Sequence, residues 1–407
     1  MKSIKKEFTN REGSRTSALL DLPPDQKPRA YAIFAHCFTC SKNLNTVHNI
    51  SLGLTQEGIA VFRFDFTGLG SSDGDFADTN FSTNIADLLD AANWLTKEFE
   101  APKLLVGHSL GGAAVLRAAL DIDSVEAIAT IGAPAEPVHV TRLLKEQMDT
   151  IRESGVATVD IGGRPFKIKK QFLDDIEKYT LDAVMDNLRK PLLIMHSPQD
   201  KIVGIENAGK IYDAAFHPKS FITLDGADHL MHHAADSRYA GQMVASWASR
   251  YLSYAPEEKI RTDQRAVVHT PQHGFTSEII AGGHHLLADE PEDVGGQNLG
   301  PNPYDLLISA LGACTSMTLR MYADRKKIPL KDIVVHLKHE KRHAEDCDDV
   351  EKKEEILDHI DRYIELHGDL SDEERTKLME IADRCPVHRT LHSKIIVTTE
   401  ERPAQAR

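Results

Sequence analysis

Apolar and polar stretches alternate along about the first 250 residues in a rhythm typical of strands separated by helices. The apolar stretches are short and rich in β-branched and aromatic side chains, which favours buried strands. They lie at residues 31–35, 59–64, 104–106, 127–131, 192–195 and 221–224. Apolar residues also recur at helical spacing at Ile85, Leu88, Leu89, Ala92 and Leu95, after the candidate caps Ser82, Thr83 and Asn84. The pattern predicts an α/β unit with a mostly parallel sheet covered by helices.

Two segments of this first unit depart from the rhythm. Residues 8–22 predict a hairpin that opens the sheet, with its turn at residues 10–14. Between about residues 137 and 190 the pattern instead predicts a polar helix over Thr141–Arg152, a hairpin turning at Gly162-Gly163, and a helix near 171–179. Because this segment interrupts two sheet strands, we expect it to form a cap that excludes water and shapes a substrate pocket.

A second pattern begins after a charged, proline-containing stretch. We expect a first domain at 1–254, a linker at 255–262 and a second, α+β domain at 263–407. Predicted strands of the second domain lie at 265–268, 275–280, 284–288, 333–337, 360–366 and 394–399. Its predicted helices are Tyr304–Lys326, apolar almost all round and expected to be buried, and a helix that opens at the Ser371–Glu374 capping box and ends near Arg384.

Composition narrows the function classes. A chain of 407 residues with 41% hydrophobic and 27% charged residues is that of a globular protein of two or three domains. Its net charge of -14 argues against a nucleic-acid or anionic-membrane partner and leaves a small molecule as the expected substrate. We find no secretory signal and no apolar stretch of membrane-spanning length, so we expect a cytoplasmic protein. Five cysteines, an odd number, are expected to be mostly reduced.

The segment Gly107-His108-Ser109-Leu110-Gly111 follows an apolar run and precedes a helical one. This is the pattern of a nucleophile elbow, in which a serine is held on a sharp strand-to-helix turn. Asp200 and His229 each follow a later strand, so they are expected at the same edge of the sheet as Ser109 and in the order nucleophile, acid, base. Alternatives remain for both partners, namely His232 and His233 for the base and Asp225 and Asp228 for the acid.

An oxyanion hole requires two backbone N–H groups, and Leu110 and Phe38 are the candidates. With these features, residues 31–252 resemble the α/β-hydrolase family, although Cys37 stands where many members have glycine. The resemblance implies a serine hydrolase that cleaves an ester, thioester or amide of a small acyl substrate through an acyl-enzyme. Cys37-x-x-Cys40 is compatible with a redox or metal pair, but we favour packing or loop cysteines because no second ligand pair lies nearby.

The second domain carries Gly300-Pro301-Asn302-Pro303, Cys314 within the following helix, and the run from Cys385 to Leu391. These motifs resemble those of the osmotically inducible protein C (OsmC) and organic hydroperoxide resistance family over residues 261–399. The whole chain therefore resembles a bifunctional α/β-hydrolase/OsmC protein. The OsmC resemblance implies reduction of an organic hydroperoxide at the expense of a dithiol, and a homodimer formed through this domain.

By the same resemblance, Cys314 attacks the peroxide and Cys385 resolves the sulfenic acid. The neighbours Arg384 and His388 are expected to favour the Cys385 thiolate, whereas Cys347 in an acidic run is expected to be a bystander.

Tyr304 stands where peroxide-reducing members have a glutamate, Asp305 follows it, and no position matches their arginine. A non-catalytic dimerisation or binding module is the alternative for this domain. We interpret His336, His339, His343 and Cys347 as a solvated face rather than a metal site, and predict no cofactor.

Overall fold

The chain divides into two units, Met1–Gln264 and Arg265–Arg407. The computed structural model describes residues 1–24, 26–161, 163–254, 262–272, 274–343 and 356–403. Most of the predicted linker, residues 255–261, therefore lies outside the described residues, as do Gly162 and Cys347.

An eight-stranded sheet forms the centre of the first unit, in the order β1-β2-β4-β3-β5-β6-β9-β10. Its strands are β1 (Lys2–Thr9), β2 (Arg15–Leu22), β3 (Ala30–Ala35), β4 (Ile59–Phe64), β5 (Leu104–His108), β6 (Ala127–Ile131), β9 (Leu192–His196) and β10 (Lys219–Thr223). The hairpin β1–β2 and the β2–β4 pair are antiparallel, whereas the other pairs are parallel. Strands β3, β4, β5, β6 and β9 are buried throughout, as expected for parallel strands covered on both faces. The predicted fold class is confirmed.

Helices cover both faces of this sheet. They are α1 (Asn45–Gln56), α2 (Phe81–Glu98), α3 (Leu110–Ala118), α7 (Glu206–Ala214) and α8 (Ala234–Ala248). Residues of α1 and α8 share one apolar cluster, and residues of α2, α3 and α7 share the other. The cap of α2 differs from the predicted serine, threonine or asparagine at 82–84. Asn80 caps the helix and Thr83 completes a capping box with it, because the helix begins one turn earlier than its apolar stripe.

The segment between β6 and β9 adds a separate layer over one end of the sheet. It comprises a 3-10 helix (Pro137–Gln147), α4 (Met148–Ser154), the antiparallel hairpin β7 (Val156–Ile161) and β8 (Arg164–Lys169), α5 (Lys170–Ile176) and α6 (Leu181–Met185). The single polar helix expected over Thr141–Arg152 is wrong. Instead, the 3-10 helix begins at Pro137, which suits a first helical turn, and α-helical geometry starts only at Met148.

The second unit combines two small sheets with helices. Its elements are β11 (Ala266–His269), β12 (Ser277–Ala281), β13 (His284–Ala288), a 3-10 turn (Glu292–Val294), α9 (Pro303–Lys326), β14 (Leu330–His343), β15 (Ile356–Gly368), α10 (Asp372–Ala382) and α11 (Pro386–Leu391). Strands β11, β12 and β13 form one antiparallel sheet, and β14 pairs with β15 in another. The predicted capping box at Ser371 and Glu374 opens α10.

Two expectations for the second unit are wrong. Helix α9 is only partly buried, with Met317 and Met321 64% and 73% exposed, because it packs along one side against β14 and α10. Residues 394–399 form no strand, and Ile396 and Val397 in this segment are about four-fifths exposed. A strand needs a neighbouring strand as well as β-forming side chains, and the described part of this single chain supplies none there.

Helix α9 also bears on the expectation that no segment has membrane-spanning length. Among the described residues it is the helix long and apolar enough to cross a membrane, with 24 residues and a mean hydropathy of 1.2 over its most apolar 18-residue window. Length and composition alone are weak evidence, since core helices of globular proteins have both. In this unit α9 contributes Leu319 and Ala323 to an apolar cluster with β14, β15 and α10.

Candidate active sites

Ser109 occupies a strained turn between β5 and α3. Its backbone is left-handed, with φ 55° and ψ -128°, which lifts the side chain away from the sheet. The turn is tight enough to require both neighbouring glycines: a Cβ on Gly107 would lie 2.4 Å from the Gly111 oxygen, and one on Gly111 would lie 2.4 Å from the Ala35 oxygen. The local geometry is therefore that of a nucleophile elbow.

The structure brings Ser109, His229 and Asp200 together. His229 Nε2 lies 3.0 Å from Ser109 Oγ, and His229 Nδ1 lies 2.7 Å from Asp200 Oδ2. The alternatives lie elsewhere: Asp228 pairs with His232 at 2.6 Å on the surface, and Asp225 accepts a hydrogen bond from Thr223. The arrangement can pass a proton from the serine to an imidazole whose tautomer is fixed by a carboxylate.

Backbone donors fix the orientation of Asp200. Its Oδ1 accepts hydrogen bonds from the N–H groups of Ile202 and Val203 at 2.8 and 2.9 Å, which leaves Oδ2 directed at His229. Burial would raise the pKa of Asp200, but the hydrogen bonds from His229 and from these two N–H groups outweigh it and hold the pKa below its usual value. Asp200 is therefore a stable negative charge beside the imidazole.

His108 is a positioning residue that the sequence analysis did not single out. Its Nε2 lies 2.7 Å from the backbone oxygen of His229, and burial is the main cause that lowers its pKa to about 3. A neutral His108 with its proton on Nε2 donates to this oxygen and ties the histidine loop to the elbow. Its position within the Gly-x-Ser-x-Gly motif was the available signal.

Both candidate oxyanion donors line the cavity at Ser109. Leu110 is the first residue of α3, where backbone N–H groups have no intrahelical acceptor, and Phe38 lies in the loop after β3. The cavity has a volume of about 260 Å³ and is roofed by side chains of the cap such as Val140 and Ile161. The Phe38 ring stacks on Phe172 of α5 with centroids 5.3 Å apart, so the cap also packs against the loop that carries this candidate donor, residues 36–40, called the oxyanion loop below.

Cys37 and Cys40 lie in this loop, as expected, but they form a disulfide, so our expectation that these cysteines are reduced is wrong for this pair. Their Cα atoms lie 5.3 Å apart because Cys40 N–H donates to the Cys37 oxygen in a tight turn, with Thr39 left-handed at φ 64°. Two cysteines at this separation meet the geometric requirement for a bridge without any second ligand pair. Cytoplasmic location stays a prediction.

Reduction of this disulfide is expected to weaken both catalysis and stability. The bridge closes the turn around Phe38, so opening it frees the candidate oxyanion donor and lowers kcat by up to about 10²-fold, the effect of losing one donor. Loop-closure entropy adds a loss of about 2 kcal/mol in the free energy of unfolding. Ester hydrolysis and Tm, measured with and without dithiol, check this. A Cys37→Ala/Cys40→Ala variant should not respond to dithiol, and equal activity of the oxidised and reduced wild-type protein would contradict the prediction.

A second constellation lies at Cys314 and Cys385 in the other unit. Cys314 on α9 is half-buried and lies close enough to the fully buried Cys385 to lower the pKa of its thiol, and the Cys385 sulfur accepts the His388 N–H at 3.3 Å. Thr315 Oγ1 lies 3.6 Å from the same sulfur. Burial raises the pKa of Cys385, but these hydrogen bonds and the charge of Arg362 outweigh it, so the thiol pKa lies below its usual value. The pair can hold one negative charge between two sulfurs.

Arg362 is the arginine that the structure places near the thiols, where sequence offered no candidate. Its Nη1 donates to Thr315 Oγ1 at 3.0 Å, and its Nη2 pairs with Asp383 at 2.6 Å. On β15 it lies on the same face as Ile360, Ile364 and Leu366, because residues two apart on a strand point to the same side. An arginine on the apolar face of a strand was the available signal. Arg362 supplies the positive charge that we had expected from Arg384.

The other residues singled out near the thiols have separate roles. His388 acts through its backbone N–H rather than as a cation, since burial and Arg362 lower the pKa of its imidazole. Asp305 completes the capping box of α9 with Asn302, and the Tyr304 ring stacks on His339 with centroids 4.3 Å apart. Within the described ranges no metal-binding cluster is found, and His336 and His339 pair with Glu365 and Asp358.

Comparisons with known proteins agree with both parts of the chain. The model of the alpha/beta hydrolase family matches residues 32–295, and that of OsmC-like proteins matches residues 295–400. The hydrolase match extends beyond Gln264 into residues that pack in the second unit. Among solved structures, the esterase domain of a Rhodothermus marinus protein is 52% identical, with a TM-score of 0.53, and the match covers 62% of this chain and 99% of that one.

Curated relatives are more distant. The mitochondrial palmitoyl-protein thioesterase ABHD10 of Mus musculus is 30% identical over 187 residues, which is 44% of this chain; the chain spans 62% of the length of that relative. The putative esterase YitV of Bacillus subtilis is 26% identical over 240 residues, which cover 54% of this chain and 88% of YitV. The buried parallel sheet, the elbow and the family match lead to one conclusion: the chain belongs to the alpha/beta hydrolase family, with an OsmC-like domain after its hydrolase domain.

Proposed function

We propose that the first unit is a serine hydrolase that cleaves a carboxylic ester or thioester through an acyl-enzyme, with an amide as the less favoured substrate. The observation that carries this is the hydrogen-bonded series from Asp200 through His229 to Ser109 at the wall of the cavity. The names of the relatives, a thioesterase, a putative esterase and an esterase domain, favour esters and thioesters over amides.

In this mechanism Ser109 Oγ attacks the carbonyl carbon while His229 Nε2 accepts its proton. The oxyanion takes hydrogen bonds from the N–H groups of Leu110 and Phe38, and Asp200 stabilises the imidazolium. His229 then gives the proton to the leaving alcohol or thiol, and water hydrolyses the acyl-serine by the same steps in reverse order. No metal or other cofactor takes part in this scheme.

The experiment is turnover of a panel of activated esters and thioesters by the full chain, compared with the Ser109→Ala protein. We expect turnover by the wild type on at least one member of the panel and a near-complete loss in the variant. Equal turnover by the two proteins would refute the assignment of Ser109.

A second candidate function belongs to the OsmC-like unit, favoured by the contact of Cys314 with Cys385 and the nearby Arg362. We propose that the Cys314 thiolate attacks an organic hydroperoxide, ROOH, to give a sulfenic acid and ROH. The Cys385 thiol then displaces water from that sulfenic acid and forms a disulfide, which an external dithiol reduces. The alternative, a dimerising or binding module without turnover, predicts no peroxide consumption.

We also propose that the chain is a homodimer through this unit. Met317 and Met321 of α9, together with Ile396 and Val397, are large apolar side chains left exposed in the single chain, and burying them would remove their contact with water. Light scattering coupled to size-exclusion chromatography should therefore give twice the chain mass of 45.2 kDa. The double variant Ile396→Asp/Val397→Asp should shift the protein toward monomer; an unaltered dimer in that variant would place the interface elsewhere.

A further inference from the structure

The cavity at Ser109 differs in charge from the chain as a whole. The chain has 62 acidic and 48 basic residues, yet the cavity is lined by two arginines, Arg142 and Arg164, and by none of the described aspartates or glutamates. The remaining lining is mostly apolar. An excess of positive charge in the cavity attracts an anionic ligand, whereas the acidic remainder of the protein repels it.

His139 and Arg142 lie on the cap above Ser109 and face the same way. They are three residues apart on the 3-10 helix Pro137–Gln147, a spacing that places side chains directly above one another, and both line the cavity. His139 Nε2 is buried and has no hydrogen-bond partner among the described residues. Burial, followed by the charge of Arg142, lowers the pKa of His139, so its imidazole is neutral and can donate one N–H.

Other charged groups near the cavity already have roles. Arg164 Nη2 donates to the Thr39 oxygen at 2.6 Å, which ties β8 to the oxyanion loop. Asp200 pairs with His229, and Glu206, whose charge acts on His139, does not line the cavity. Arg142 is thus the arginine of the cavity wall to which we assign no structural role. It lies three residues from His139, whose buried Nε2 has no hydrogen-bond partner among the described residues.

We propose that the site selects esters or thioesters that carry an anionic group, a carboxylate or a phosphate, held by Arg142 and by His139 Nε2. This rests on the proposed hydrolase function and names its substrate class. An arginine forms charge-assisted hydrogen bonds with either anion, and a neutral imidazole N–H adds one more. The apolar remainder of the cavity would receive the hydrocarbon part of the substrate.

The experiment uses two matched substrate pairs and the full-length protein. The half p-nitrophenyl ester of adipate, compared with p-nitrophenyl hexanoate, tests a carboxylate on the acyl chain. Hexanoyl-coenzyme A, compared with hexanoyl-N-acetylcysteamine, tests phosphates on the leaving group. We expect the anionic member of at least one pair to have the higher kcat/KM, and Arg142→Ala to lower that preference by about 10- to 100-fold, the loss of a charge-assisted bond.

Variants distinguish direct binding of the anionic group by Arg142 and His139 from a general effect of positive charge on the cap. Arg142→Lys should retain part of the preference, and His139→Gln should retain more of it than His139→Leu. Arg152→Ala removes an exposed arginine of the same cap that does not line the cavity, and should leave the preference intact. Equal use of both members of both pairs by the wild type, or a preference that Arg142→Ala leaves unchanged, would overturn the inference while the hydrolase function stands. If no ester or thioester is turned over above the Ser109→Ala level, the hydrolase function fails and the inference with it.

Discussion

The Ser109→Ala protein is expected to lose on the order of 10⁴- to 10⁶-fold in kcat/KM for activated esters, because acyl transfer loses its nucleophile while the oxyanion donors remain. Ser109 Oγ lies 3.0 Å from His229 Nε2, within reach for direct proton transfer. Small cost to folding is expected, since alanine fits where serine stands between Gly107 and Gly111. Initial rates with p-nitrophenyl esters, measured alongside Tm, check both statements.

Controls for this prediction come from the same unit. Ser246→Ala alters an exposed serine of α8 and should keep the wild-type rate. Asp200→Asn should lose about 10⁴-fold, as expected when the imidazole loses the carboxylate that fixes its tautomer, whereas Asp225→Asn and Asp228→Asn should not. A larger loss in either of those two variants than in Asp200→Asn would move the acid to another loop.

Replacing Cys314 with serine is expected to abolish dithiol-driven reduction of an organic hydroperoxide, because the attacking sulfur is lost. Cys385→Ser should also stop multiple turnover, but for a different reason: the first attack still forms a sulfenic acid on Cys314, and no second thiol resolves it. Peroxide consumption, together with mass spectrometry after a sulfenic-acid trap, should therefore find the adduct on Cys314 in the Cys385→Ser protein.

The pair also allows the opposite order of roles, and the same trap distinguishes them. Cys385 is the thiol with a lowered pKa, and Cys314 is one cause of the lowering, so a proton moving between the two sulfurs would decide which one attacks. An adduct on Cys385 in the Cys314→Ser protein would reverse the assignment. Cys347→Ser should behave as wild type. Retained turnover in both single variants at the pair would refute the assignment of these two thiols, whereas no peroxide consumption by the wild type would favour the non-catalytic module.

The residues Ser109, Asp200 and His229 could be predicted from sequence because each of them lies in or after a recognisable local sequence pattern. Ser109 lies in a motif whose glycines have a steric reason, and Asp200 and His229 each follow an apolar run within five residues. Parallel strands end at one edge of a sheet, so residues far apart in sequence could be placed near one another without knowing any contact. The fold class follows from the same alternation.

The features that sequence did not predict depend on contacts between residues far apart in the chain or on backbone conformation, neither of which a local sequence pattern indicates. Arg362 of β15 approaches the thiols through its hydrogen bond to Thr315 of α9, and His108 acts through a backbone oxygen supplied by His229. The Cys37–Cys40 disulfide depends on a turn with a left-handed residue at Thr39. The predicted strand at 394–399 was wrong for a related reason, because strand formation depends on a neighbouring strand, which the side chains of the segment do not reveal.

The cap over Ser109 begins with a backbone element whose hydrogen-bond geometry is weak. Its first element, Pro137–Gln147, is eleven residues of 3-10 helix, a geometry with poorer hydrogen bonds than an α-helix and seldom sustained over such a length. Local opening has its lowest free-energy cost where backbone bonds are weak and exposed. We therefore expect local opening to begin at this helix, at the cavity wall formed by its residues, rather than at the buried strand that carries the elbow.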